Sequence, residues 1–344
     1  MLTLGRKTKM NDITSPELLA QVNPQNIELL NDFMDYLKSV QRSETTINAY
    51  KNDIEIAWVW CLQHNNNTFY CDWTKRNVMK YQNWLINENG NSPARVRRLK
   101  AALSSLGNFV ETVLDEEFPT FRNIINKIEN PVNQPVREKT VLSQEDVQEM
   151  LDILVKKKKY EMACYVALAA FGGRRKSEIC RFKVSDFDDD KLVCGGSLWR
   201  SSPMRTKGRG ANGKMLCVYT LAKPFRPYLN MWMEERKRRG IESIWLFPNH
   251  TDPSQQLGIS TVNSWAETLS RITGKPIYFH SLRHNYTTFL SDNGIPDSVI
   301  KDIQGWSDLS MVSVYVDRST DDTLDMYFDQ DGFKSVEQKS LSDL

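Results

Sequence analysis

Apolar residues recur at helical spacing through the first third of the chain. Ile27, Leu30, Phe33, Met34 and Leu37 repeat at intervals of three and four, which predicts an amphipathic helix. Ser43-Glu44-Thr45-Thr46 offers an N-cap to a second helix bearing Ile47, Tyr50, Ile54, Ala57 and Trp58. Asn89-Gly90-Asn91-Ser92-Pro93 is turn chemistry, and it opens a helix from Arg95 to Val110 with Leu99, Ala102, Leu103, Leu106 and Phe109 on its inner face. Arg95, Arg97, Arg98 and Lys100 are expected on the outer face. Residues 130–139 carry two prolines among polar neighbours and predict a linker. Beyond it, Ser143 can cap a new helix with Asp146 in its first turn. The almost wholly apolar run 160–171 predicts a buried helix that delivers Arg175 at its end. Short strands are expected near 191–194 and 216–220, with the remainder to Leu344 chiefly helical. The fold class is therefore mostly α with a small β-sheet, an α+β arrangement.

With 344 residues, two domains are the prior expectation. No apolar run reaches the length of a membrane span, and the N-terminus lacks a signal-peptide core, so the expected location is the cytoplasm with no membrane partner. Six cysteines lie far apart with no Cys-x-x-Cys pair, which predicts buried free thiols rather than a zinc site or disulfide framework. Net charge is only +2, from 45 Lys+Arg against 43 Asp+Glu, but the charges cluster. Basic residues gather at 95–100, 156–159, 174–176, 205–214 and 236–239, and acidic ones at 186–190 and beyond 321. Separate basic and acidic surfaces follow even though the total nearly cancels. The lysine run at 156–159 is expected to be a solvated helix end.

The candidate chemistry lies between His280 and Tyr315. His280 and Arg283 are one helical turn apart and share a face, with Leu282 and Phe289 supplying an apolar side. A histidine, an arginine and a tyrosine converging without an acidic metal cage point to chemistry on a phosphodiester.

Four segments carry a resemblance. They are Gly173-Arg174-Arg175-Lys176-Ser177-Glu178, the run Arg205-Thr206-Lys207-Gly208-Arg209-Gly210 with the strand-like 215–219, His280-Ser281-Leu282-Arg283-His284, and Gly305-Trp306-Ser307 followed nine residues after Trp306 by Tyr315. In order and spacing these boxes resemble the tyrosine recombinase (phage integrase) family, over roughly residues 26 to 330. The resemblance implies the simple type, similar to the Cre and Xer recombinases and without a separate arm-binding domain. It divides the chain into an N-terminal extension at 1–25, a helical SAM-like core-binding domain at 26–129, the linker at 130–139, a catalytic domain at 140–318, and a tail at 319–344 with a protomer-docking helix. The two domains are expected to form a C-shaped clamp on DNA.

The resemblance also implies roles. Tyr315 becomes the nucleophile that forms a 3′-phosphotyrosyl intermediate, and Tyr327 is its nearest competitor. Arg175 and Arg283 stabilise phosphate charge, since a guanidinium can give two parallel hydrogen bonds to phosphate oxygens. Arg174 is the alternative register for the first arginine. His280 serves as general base or phosphate donor. Lys207, or Lys214 across the same hairpin, protonates the leaving 5′ oxygen. Trp306 stands where most family members have histidine, and its indole N–H can donate but cannot shuttle protons. Glu178 supports neighbouring side chains, and Arg95, Arg97, Arg98 and Lys100 contact DNA. No cofactor or metal is implied, because the phosphotyrosine conserves the energy of the broken bond. The implied partners are duplex DNA with an inverted-repeat core site, three further copies in a synaptic homotetramer, and accessory proteins. Integration or excision of a mobile element and resolution of dimers all fit. A DNA-binding protein with a decayed centre and a type IB topoisomerase are the alternatives.

Overall fold

The computed structural model describes residues 13–132, 142–206 and 213–315, together with the backbone of two short strands at 328–329 and 332–333; the side chains from 313 onward are outside the description. The described residues fall into two compact units, one ending at 132 and the other beginning at 142. Most of the expected linker, 133–139, lies outside the described residues.

The first unit is all helical: α1 (Pro16–Leu19), α2 (Pro24–Ser39), α3 (Glu44–His64), α4 (Lys75–Asn83) and α5 (Pro93–Val113). Each start has a local cause. Ser43 Oγ accepts from the Thr46 amide at 3.3 Å to begin α3. Ser92 does the same for the Arg95 amide at 3.3 Å, with Pro93 at the first helical position, where its missing N–H costs nothing. Leu30, Phe33 and Leu37 of α2 meet Ile54 and Trp58 of α3 and Leu99, Leu103 and Leu106 of α5 in one core.

The expected outer face of α5 holds only in part. Arg97 and Arg98 are exposed, but Lys100 is buried, and its ammonium donates to Gln82 Oε1 and the Ile128 carbonyl, both at 2.7 Å. Lys100 follows Val96 by four residues and precedes Leu103 by three, so the helical period turns it inward. It ties α5 to its neighbours and presents no charge to a ligand. Arg95 and Arg98 both donate to the buried carboxylate of Asp53 on α3, at 2.7 and 3.0 Å, and Arg97 donates to the Pro131 carbonyl at 3.1 Å.

The second unit is built around α7 (Tyr160–Gly172), whose side chains from Met162 to Ala170 are all buried. It packs against α6 (Gln144–Lys156), α9 (Ala222–Arg238) and α11 (Phe279–Asp292). A reciprocal capping box starts α6, with Ser143 Oγ accepting from Asp146 N–H at 3.1 Å and Asp146 Oδ2 from Ser143 N–H at 3.0 Å. The short α8 (Lys176–Ile179) follows α7. A three-stranded antiparallel sheet joins β1 (Leu192–Val193), β2 (Leu198–Arg200) and β5 (Tyr219–Leu221), with Leu192 opposite Trp199 and Trp199 opposite Thr220. A separate hairpin pairs β3 (Met204–Thr206) with β4 (Lys214–Leu216). After α10 (Ile259–Thr273) and α11 come α12 (Asp297–Gln304) and α13 (Ser310–Tyr315).

Two further expectations are corrected. Within the tail expected to hold a docking helix, Phe328 lies in β6 (Phe328–Asp329), which pairs antiparallel with β7 (Gly332–Phe333); residues 316–327 are outside the described residues. All six cysteines are free, but Cys194 is exposed and Cys71 and Cys217 only half-buried. Among the described residues no helix is long and apolar enough to cross a membrane.

Candidate active site

The site begins where α7 stops. Gly173 ends the helix with φ +60°, a left-handed conformation that glycine adopts without a Cβ penalty. A Cβ there would also lie 2.2 Å from Tyr286 Cδ1 and 2.7 Å from Gln304 Nε2. Only a bare α-carbon lets the end of α7 approach α11 and α12 this closely.

Two consecutive arginines leave this turn in opposite directions. Arg174 is buried, with its Nε donating to the Gly172 carbonyl at 3.0 Å and Nη2 to the Ile303 carbonyl at the end of α12. Arg175 caps α8, and its side chain keeps 30% of its surface accessible. Burial separates the two: Arg174 is an internal strut, and Arg175 keeps an accessible side. Glu178, itself buried, ties this corner together. Its Oε1 accepts from Arg175 Nη1 at 2.9 Å, its Oε2 accepts from the Arg175 amide at 3.2 Å, and Arg283 Nη1 lies 3.9 Å from Oε2. Burial pushes the Glu178 carboxyl up, but Arg175, then Arg174 and Arg283, outweigh it and hold the group below its ordinary value.

From α11, Arg283 enters the same corner and is fully buried. Nη1 donates to the Gly173 carbonyl at 3.0 Å and Nη2 to the Gln304 carbonyl at 3.3 Å. Its guanidinium lies 5.3 Å from the centre of the buried Trp306 ring, within cation–π range. His280 sits one turn earlier with an exposed edge, and the ring of His284 crosses it edge-on at 5.0 Å. Partial desolvation, then the proximity of His284, Arg283 and Arg175, lowers the His280 pKa to about 4. The imidazole is thus neutral near pH 7, with one N–H to give and one nitrogen to accept.

The fold therefore gathers Arg175, Glu178, His280, Arg283 and Trp306. Tyr315 ends α13 as backbone, with its side chain outside the description, and Lys207 lies outside it altogether, directly after β3. Lys214 opens β4, exposed and in register with Thr206. In the sequence Arg174 reads only as the alternative register for Arg175, not as a buried strut, and His284 has no assigned role. The signal for Arg174 was the Arg-Arg pair after two glycines, and for His284 its place four residues after His280.

Comparison with known proteins gives the same answer. The family model described as the phage integrase family matches residues 140–321, and that of the phage integrase N-terminal SAM-like domain matches 29–120. The SPbeta prophage-derived recombinase-like protein YomM of Bacillus subtilis (strain 168) is 27% identical over 296 residues, covering 83% of this chain and 84% of its own. The fold resembles that of XerH site-specific recombinase bound to palindromic difH substrate, with TM-score 0.61, 17% identity and 89% of each chain covered. It also resembles a lambda integrase tetramer bound to a Holliday junction, with TM-score 0.63, 15% identity, 86% of this chain and 79% of that one. With a phage integrase family model spanning more than half of the sequence, and a corner of arginine, glutamate and histidine lying inside the matched residues, the chain belongs to the phage integrase family and is a site-specific tyrosine recombinase.

Proposed function

We propose that Tyr315 attacks a scissile phosphate of duplex DNA and that the residues around Glu178 stabilise the transition state. The carrying observation is that Arg175 and Arg283, more than a hundred residues apart in sequence, share one buried carboxylate, with Trp306 against Arg283 and His280 close to both arginines. The phenolic oxygen forms a bond to phosphorus and the P–O5′ bond breaks. The phenolic proton passes to water or to neutral His280, and a hairpin lysine, Lys207 or Lys214, gives its proton to the 5′ oxygen. The reverse reaction with another 5′-hydroxyl rejoins the strand.

Arg175 meets the phosphate from the accessible side, while Arg283 adds its charge from within, held by two carbonyls. Preorganised donors of this kind are each worth roughly 3–4 kcal/mol in transition-state stabilisation. The depressed pKa of His280 suits a hydrogen-bond donor to the phosphate better than a base, since basicity falls with pKa. Glu178 is a positioning residue that orients Arg175 and Arg283. Exposed Arg97 and Arg98 on α5 serve DNA binding. The lambda integrase neighbour is a tetramer on a Holliday junction, and the XerH neighbour is bound to a palindromic site. Those likenesses support a homotetramer acting on paired inverted repeats here.

Suicide substrates test the reading. Wild type should form a denaturant-resistant adduct on DNA carrying the flanking inverted repeats of its own locus and little on random DNA, and Tyr315→Phe should form none while binding normally. Adducts of equal yield on random DNA would indicate a topoisomerase. Absence of any adduct would indicate a decayed centre, and an undiminished adduct in Tyr315→Phe would move the nucleophile, with Tyr327 next.

A further inference from the structure

The β3–β4 hairpin stands apart from the three-stranded sheet and has only three residues in each strand. A two-stranded ribbon of this length is marginal by itself in water, so its position depends on outside ties. Met204 and Thr206 turn inward, and Thr206 Oγ1 donates to the Lys214 carbonyl at 2.8 Å, closing the ribbon near its turn. Two contacts fix it to the site. Arg181, three residues beyond Glu178, donates from Nη1 to the Arg205 carbonyl at 2.7 Å. On the other strand Leu216 lies against Gly305, so closely that a Cβ on that glycine would be 2.7 Å from Leu216 Cδ1. The ribbon is thus pinned between the segment that carries Arg175 and the turn that carries Trp306.

Arg205 is the residue through which the first pin acts. It is two residues before Lys207, and its strand neighbour Thr206 is in register with Lys214. Any displacement of the Arg205 carbonyl is passed along β3 to Thr206 and across the register to Lys214. We propose that Arg181 is a positioning residue that holds the hairpin lysine in reach of the leaving 5′ oxygen. It does so by a main-chain hydrogen bond and not by contact with DNA. The proposal rests on the reading of a hairpin lysine as general acid.

The experiment separates the two. Single-turnover cleavage is compared on a suicide substrate with the ordinary 5′ oxygen and on one with a 5′-bridging sulfur at the scissile phosphate. A thiolate leaves without protonation, so only defects in the proton-transfer step are repaired by sulfur. A positioned general acid contributes about 10²–10⁴-fold, so Arg181→Ala should slow the oxygen substrate by about tenfold or more and return to near the wild-type rate on sulfur. DNA affinity and its salt dependence should not change, and Arg181→Lys, which keeps a long donor, should recover part of the oxygen rate. Lys207→Ala and Lys214→Ala are run beside it. If neither lysine variant is repaired by sulfur, the general-acid reading fails and the proposal falls with it. If a lysine variant is repaired but Arg181→Ala is equally slow on both substrates, is as fast as wild type on both, or loses affinity in proportion to its rate, the positioning role alone is overturned.

Discussion

Arg283 donates to the Gly173 carbonyl at 3.0 Å across 110 positions of sequence, so a residue of α11 depends on the last turn of α7 for its orientation. The Arg174 contact with Ile303 and the Arg283 contact with Gln304 hold the end of α12 to the same turn. Trp306 and α13 follow directly. The centre is therefore fixed by buried cations on main-chain oxygens, with Glu178 as the local counter-charge.

Neutralising that counter-charge should be costly. Glu178→Gln keeps the shape but leaves Arg174, Arg175 and Arg283 in one buried corner without an anion. Breaking a buried ion pair by removing one partner typically costs about 3–5 kcal/mol, and a loss of that order is expected in the unfolding free energy, seen as a lower denaturant midpoint, with cleavage lowered as well. An unchanged midpoint would show that the carboxylate does not hold the arginines.

His280 predicts a pH effect of definite sign. Its folded pKa of about 4 lies below the ordinary value of 6.5, so between these values the unfolded chain takes up a proton that the folded chain refuses. Stability contributed by the neutral ring is complete above the upper value and falls as pH drops through the window. His280→Asn should therefore lose less melting temperature between about pH 7 and pH 5 than wild type does, because its side chain does not titrate. Parallel curves for the two proteins would mean that the ring is not held neutral.

Lys100 and Arg97 should separate cleanly. Lys100→Ala removes a buried ammonium and strands Gln82 and the Ile128 carbonyl, for a destabilisation of about 1–3 kcal/mol, with the salt slope of DNA binding unaltered. Arg97→Ala should leave stability alone and lower that slope by about one unit if Arg97 meets a phosphate. Equal salt slopes for wild type and Arg97→Ala, or a reduced slope for Lys100→Ala, would reverse the assignment of the α5 faces.

Cleavage should proceed in excess chelator and without nucleotide. In the mechanism proposed, the arginines supply the charge at the phosphate, and the phosphotyrosine keeps the energy of the broken bond. Loss of adduct in EDTA with recovery on adding magnesium would overturn this.

Local sequence determined the helices. The three-and-four spacing of Ile27, Leu30, Phe33 and Leu37, the caps at Ser43, Ser92 and Ser143, and the unbroken apolar run of α7 each specify structure through neighbours a few residues away, and those interactions are encoded in the chain itself. The same locality made His280 and Arg283 legible as one helix face. Tertiary structure decided which cations go inside. Arg174 and Arg175 are adjacent and chemically identical, and the Ile303 carbonyl, supplied from 129 positions away, joins the Gly172 carbonyl in making burial of the first tolerable. Lys100 reads as a surface charge by type, and the Gln82 and Ile128 oxygens that accept its protons exist together only in the folded unit. The pKa of His280 and the tie from Arg181 to Arg205 belong to the same class. A buried or displaced charge is set by partners that folding assembles, and no window of sequence contains them.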